Sequence, residues 1–103
     1  MEQNVNEQAG QWQFLTNHAR VLFAIARDPA ARLRDIAAVC RITERTAQSI
    51  VTDLEQAGYM RREREGRRTR YILCLDGTLH HPAEAHVPVR VLLEVFTSHD
   101  SQP

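Results

Sequence analysis

The chain contains no lysine, and all thirteen of its basic residues are arginine. Arginine carries a planar fork of donors that fits phosphate, carboxylate or guanine edges in pairs, where lysine would bring a point charge. A codon bias toward arginine produces the same pattern, so the missing lysine assigns no partner by itself. Cysteine is scarce as well. Cys40 and Cys74 are too few for a disulfide framework and lack CxxC spacing, which leaves them as small hydrophobes for the interior. No apolar run approaches the roughly 20 residues of a membrane span, and the Gln- and Asn-rich start does not resemble a signal peptide; the expected location is the cytoplasm. A Gly-rich phosphate loop, a nucleophile motif and paired carboxylates in a recognisable setting are all missing, so no catalysis is expected.

What is present is an ordinary globular composition, 43% hydrophobic and 25% charged over 103 residues, enough for one domain with a modest core. The net charge of zero hides a segregation. Residues 32 to 70 hold ten arginines against six acids, a net +4, while residues 1 to 31 sum to −1 and residues 71 to 103 to −3. A chain whose middle is basic and whose ends are not suits contact with a polyanion through the middle.

The apolar periodicity predicts an α+β architecture, mainly helical with a small hairpin. Residues 1 to 13 read as a flexible arm. From about Thr16 to Asp28, Ala19, Leu22, Phe23, Ile25 and Ala26 recur at helical spacing, with Thr16 or Asn17 as N-cap and Pro29 as terminator. Val21 and Phe23 widen the apolar side beyond one stripe, a surplus available for a second interface. Leu33, Ile36, Ala37 and Cys40 then mark a short second helix. Ile42 plugs a tight connection, and Thr43 can cap a third helix, which makes a helix-turn-helix, although the turn lacks its usual glycine. In the third helix Ala47, Ile50, Val51, Leu54 and Ala57 fall in one arc when residues are set about 100° apart. Arg45, Gln48, Ser49, Thr52 and Gln56 occupy the other, and Gly58 is placed to close the helix in the left-handed conformation.

Residues 59 to 65 and 69 to 75 read as antiparallel strands around a turn at Gly66-Arg67-Arg68. Residues 79 to 88 form a connector with two prolines. Val89, Leu92, Leu93 and Phe96, with Val91 and Val95 beside them, predict a last helix over 89–97, and 98–103 is a tail.

The run from Leu33-Arg34-Asp35-Ile36-Ala37 through Asp53-Leu54-Glu55-Gln56-Ala57-Gly58-Tyr59 to Gly66-Arg67-Arg68-Thr69-Arg70-Tyr71 resembles the winged helix-turn-helix of bacterial transcription regulators. It is most similar to small MarR-type proteins, with ArsR-type proteins second; the resemblance covers roughly residues 14 to 77, and the DNA-binding domain is expected over 14–78. It implies a sequence-specific regulator that binds double-stranded DNA as a homodimer, recognition helix in the major groove and wing on the backbone. By position, Arg45, Thr46, Gln48 and Ser49 match the base-reading and nearby phosphate-contacting part of the helix, and Arg67, Arg68 and Arg70 match the wing; Thr52, on the same polar arc, joins them as an expected DNA-binding residue. Arg61, Arg62 and Arg64 alternate with Glu63 and Glu65 and are expected to pair with acids instead. Trp12, Leu22, Phe23, Leu92, Leu93 and Phe96 are the expected dimerisation residues, because so short and apolar a helix is expected to need cover from a second subunit.

Two other readings stay open. A winged helix can also serve as a protein-interaction module with no specific DNA site, since fold alone does not choose. His80, His81, Glu84 and His86 could supply metal ligands, but two prolines, no cysteine and no i, i+4 histidine pair leave their geometry unspecified. No metal or cofactor is expected. An unknown small-molecule effector remains possible and would have to act at the seam between the terminal helices and the winged core.

Overall fold

The computed structural model describes residues 13–100, so the expectations for Trp12, for most of the N-terminal arm and for the last three residues lie outside it. In chain order the elements are α1 (Asn17–Arg27), α2 (Leu33–Cys40), α3 (Glu44–Gln56), β1 (Met60–Glu65), β2 (Arg68–Leu73) and α4 (Val89–Asp100). Among the described residues, four helices and one two-stranded antiparallel hairpin make a winged helix fold.

Local chemistry explains where each helix starts and stops. Thr16 caps α1 by accepting the Ala19 amide at 3.1 Å, and Thr43 caps α3 by accepting the Thr46 amide at 3.0 Å. α3 ends in a Schellman motif. The Tyr59 amide reaches the Leu54 carbonyl and the Gly58 amide the Glu55 carbonyl, each at 3.0 Å, with Gly58 at φ +85°. The close of α2 has the same left-handed form without the glycine: Arg41 adopts φ 59°, and the Ile42 amide reaches back to the Ala37 carbonyl at 3.0 Å. That is how the glycine-free turn is made.

The hairpin is tighter than the sequence suggests. Its register pairs Glu65 with Arg68, so the turn is the two residues Gly66 and Arg67, and Arg68 begins the strand. Gly66 sits at φ +64° in the first central position, as a II′-type hairpin turn demands. At the other end β2 stops at Leu73, and the base of the ribbon is tied down by the Tyr71 amide on the Pro29 carbonyl at 3.0 Å.

The core gathers around α1, whose residues Val21 to Ile25 are all buried. α2, α3 and α4 all pack on it. The apolar surplus of α1 is thus spent inside the subunit. Phe23 stacks on Phe96 of α4 with ring centroids 4.0 Å apart, Leu93 is 4% exposed, and Leu22 is buried; Leu92 and Phe96 are half-buried against the same cluster. Leu22, Phe23 and Leu93, expected at a subunit contact, are thus covered here by their own chain. Among the described residues the large apolar side chains left exposed are Phe14, Val39, Leu75, Val91 and Val95. The connector between wing and α4 is closed at its neck by a bridge between Thr78 and Pro88, with the Val89 amide on the Gly77 carbonyl at 2.8 Å.

Because Arg41 holds a left-handed backbone without being glycine, substitutions there should sort by side-chain shape. Arg41→Val should destabilise the fold by roughly 1–2 kcal/mol, while Arg41→Gly should be neutral or mildly stabilising. Urea midpoints of the two variants check this; equal losses in both would show that the Arg41 side chain, not its backbone, matters.

Candidate nucleic-acid interface

α3 presents its polar arc because its apolar arc is held. Ala47, Ile50, Val51 and Leu54 are buried, whereas Arg45, Thr46, Gln48 and Ser49 are exposed. Thr52 is half-buried, beneath a Gln48 side chain whose amide nitrogen lies 3.4 Å from the Thr52 hydroxyl. Thr46 is partly committed: its amide and its hydroxyl oxygen both engage Thr43. Arg45 and Ser49 have the freest approach to a partner along this face.

The wing is fixed to α3 by one ion pair. Arg62 places Nη2 at 2.6 Å and Nε at 3.0 Å from Glu55 Oε1, both side chains about two-thirds withdrawn from solvent. The Arg62 hydrogen bonds hold the Glu55 carboxyl below the usual carboxylate range. On the neighbouring strand position Arg61 pairs with Glu63 at 3.2 Å, as the alternating charges suggest, whereas the partner of Arg62 is not a strand acid but Glu55 of α3.

Of the wing arginines, Arg67 stands at the turn and is exposed. Arg70 is exposed opposite Glu63. Arg68 has an unforeseen second task, donating Nη2 to the Ala30 carbonyl at 2.5 Å and so strapping β2 to the α1–α2 link. Between wing and helix-turn-helix lies an open cleft of about 280 Å³ bordered by Arg32, Gln48, Arg62, Arg67 and Arg68. Arg32 was not among the residues singled out from the sequence. It occupies the N-cap position of α2 without making a side-chain cap, and its place at the start of the basic segment was the available signal. Four guanidinium groups, those of Arg32, Arg62, Arg67 and Arg68, border this one concave surface, and two of them are engaged within the chain, Arg62 by Glu55 and Arg68 by the Ala30 carbonyl.

The remaining candidates separate from this surface. His80 stacks on Tyr59 with centroids 4.5 Å apart and gives its amide to the Tyr59 hydroxyl; His81 accepts the Ala83 amide at 3.0 Å. Among the described residues no group of three or more His, Cys, Asp or Glu side chains is gathered as a metal would require, so His80, His81, Glu84 and His86 are not brought together as a ligand set. Cys40 is buried, and burial pushes its thiol up. It lines a cavity of about 200 Å³ at the seam of α1, α2 and α4, with Leu15, Phe23, Val39 and Phe96 as apolar walls and Arg20 and Arg27 at the rim. The connector histidines take no part in that cavity.

The sequence model of the MarR family matches residues 12–70, more than half of the chain. The chain belongs to the MarR family. It is a DNA-binding transcription regulator of the winged helix-turn-helix class. Among solved structures it is similar to MepR, a transcription regulator of the Staphylococcus aureus multidrug efflux pump MepA, with 18% identity, a TM-score of 0.51, and coverage of 95% of this chain and 69% of that one. At that identity the likeness speaks for the fold. No curated protein matches the chain. No helix among the described residues of this MarR-family chain is long and apolar enough to cross a membrane.

The Glu55–Arg62 tie predicts an acid-limb signature. A carboxyl lowered in the folded state contributes stability that is complete above its unfolded value, about 4.3, and is lost as pH falls through the lower folded value. Wild type should therefore be more stable than Glu55→Gln at pH 7, and the two should converge at strongly acid pH. Urea titrations across that range test this, and a gap that stays constant with pH would mean the pair contributes nothing through charge.

Proposed function

We propose that this MarR-family chain binds duplex DNA as a two-fold homodimer, lays the exposed arc of α3 in the major groove and sets its arginine wing on the backbone. The observation that carries the reading is the joint surface of α3 and wing: Arg45, Gln48 and Ser49 exposed on the helix, with the Arg32, Arg67 and Arg68 cleft beside them. Helix residues with forked or hydroxyl side chains read base edges, and guanidinium groups at the flank hold phosphates. Thr46, Thr52 and Arg70 complete the proposed contact set, with Thr52 acting through its contact with Gln48. Such a regulator would work in the cytoplasm and without a catalytic step.

The dimer reading now rests on the outer side of α4. Val91 and Val95 are 47% and 51% exposed at i, i+4 spacing, next to half-buried Leu92 and Phe96, and Phe14 stands 92% exposed near the start of α1. These patches equally suit the alternative, an interaction module that docks another protein through its apolar end. The cationic cleft favours DNA as the partner of the opposite end. The α1–α2–α4 cavity is where a small apolar effector would act, since a ligand there would bear on how α4 sits against the winged core.

Helix and wing should fail differently in titrations against a selected duplex. Arg67→Ala should weaken binding to every sequence and flatten the salt dependence by about one unit for each lost phosphate contact, while Gln48→Ala should mainly relax base preference. Equal affinity of the wild type for selected and random duplex at physiological salt would rule out sequence-specific reading. The selected site should be pseudo-palindromic with half-sites about 10 base pairs apart.

Deleting α4 would strip Val89 and Leu93 from the core, so a surface charge is the cleaner probe of the dimer. Val95→Glu should give folded monomers in sedimentation and weaken binding to the full site. A variant that stays dimeric would move the interface elsewhere.

A further inference from the structure

The two flanks of α3 are not equivalent. Seen down the helix axis at about 100° per residue, Gln48 and Glu55 lie on the side of the wing, Arg45 and Thr52 face outward, and Ser49 and Asp53 lie on the opposite side. On that opposite side α1 begins. Asn17 and His18, in its first turn, join Arg45, Thr46, Ser49 and Asp53 around an open cleft of about 550 Å³. His18 Nε2 is 2.9 Å from Asp53 Oδ2, and both side chains are about half exposed.

A helix lying in the major groove nearly fills it, since the groove is about 12 Å wide and the helix with its side chains roughly 10–12 Å across. Side chains beside the helix on both flanks then meet the two phosphate walls. The wing flank brings guanidinium groups. The α1 flank brings a carboxylate, Asp53, which would repel phosphate if left unmatched. The charged groups bordering this cleft are His18 and, from α3, Asp53 and Arg45; no side chain of α2, the wing or α4 lines it among the described residues. Arg20, two residues along α1, lies with Nη1 at 3.4 Å from the Asn17 side-chain oxygen.

We propose that His18 is a phosphate-contacting residue of the DNA interface, oriented by Asp53, and that it binds the backbone as imidazolium. In the neutral ring the nitrogen facing Asp53 donates and the other can only accept. Protonation turns that second nitrogen into a donor, which a phosphate oxygen can accept. The same proton offsets the Asp53 charge. Histidine changes charge between pH 5 and 8, and a nearby phosphate favours the charged form, so binding should take up a proton.

This inference rests on the duplex-binding reading above, and one experiment separates their failures. Fluorescence anisotropy of a selected duplex, at fixed ionic strength from pH 6 to 8.5, should show affinity falling with pH by about tenfold per subunit, the equivalent of one pKa unit. His18→Gln should bind with little pH dependence at the weak, high-pH level of the wild type, and His18→Arg should bind tightly across the range. Calorimetry in two buffers of different ionisation enthalpy should show proton uptake by the wild type and none by His18→Gln. A wild type that binds duplex without pH dependence, or a slope that survives in His18→Gln, overturns the role of His18 and leaves DNA binding standing. Absence of duplex binding at every pH overturns both.

Discussion

Burial of one face of α3 fixes the rest of the molecule's working geometry. Ala47, Ile50, Val51 and Leu54 are held within the domain, and a helix gripped along one arc can turn neither toward nor away from solvent without unpacking it. Arg45 must then face outward, Gln48 and Glu55 must face the wing, and Ser49 and Asp53 must face the start of α1. Each flank is secured by a polar tie to a neighbouring element: Glu55 to Arg62 of the wing, and Asp53 to His18 of α1. The helix is in this way the strut on which the exposed groups of both flanks are set.

α1 performs the corresponding task for the core. Five consecutive buried residues make it apolar nearly all round, and such a helix is stable only when covered on several sides. α2, α3 and α4 provide the cover. The stacked Phe23 and Phe96 rings make α4 part of the folded unit and not an appendage, and the side of α4 left exposed carries Val91 and Val95. The cavity beside those rings lies at the seam of α1, α2 and α4.

Much of this was legible because it is local. Thr43 as a cap, Gly58 as a left-handed close and the two arcs of α3 are each specified by residues within one or two turns, and the structure places them as the spacing indicates. The misreadings come from chemistry the spacing cannot carry. Arg41 closes α2 with a backbone that usually signals itself by glycine, and Arg68 moved from turn to strand because the two-residue turn needs only Gly66 and Arg67. Periodicity marked Leu93 and Phe23 for burial, but it does not say whether the covering surface belongs to the same chain. His18 and Asp53 are 35 positions apart, and no local pattern joins them.

The central claim is that DNA lies across α3, the wing cleft and the first turn of α1, while the outer side of α4 is kept for protein. Backbone amide mapping by NMR on adding a selected duplex tests it most directly. The account predicts the largest shifts at residues 17–18, 32–34, 43–49 and 66–70, with Val91 and Val95 little changed. Shifts concentrated on Val91, Val95 and the end of α4, with the α3 and wing amides unmoved, would contradict it.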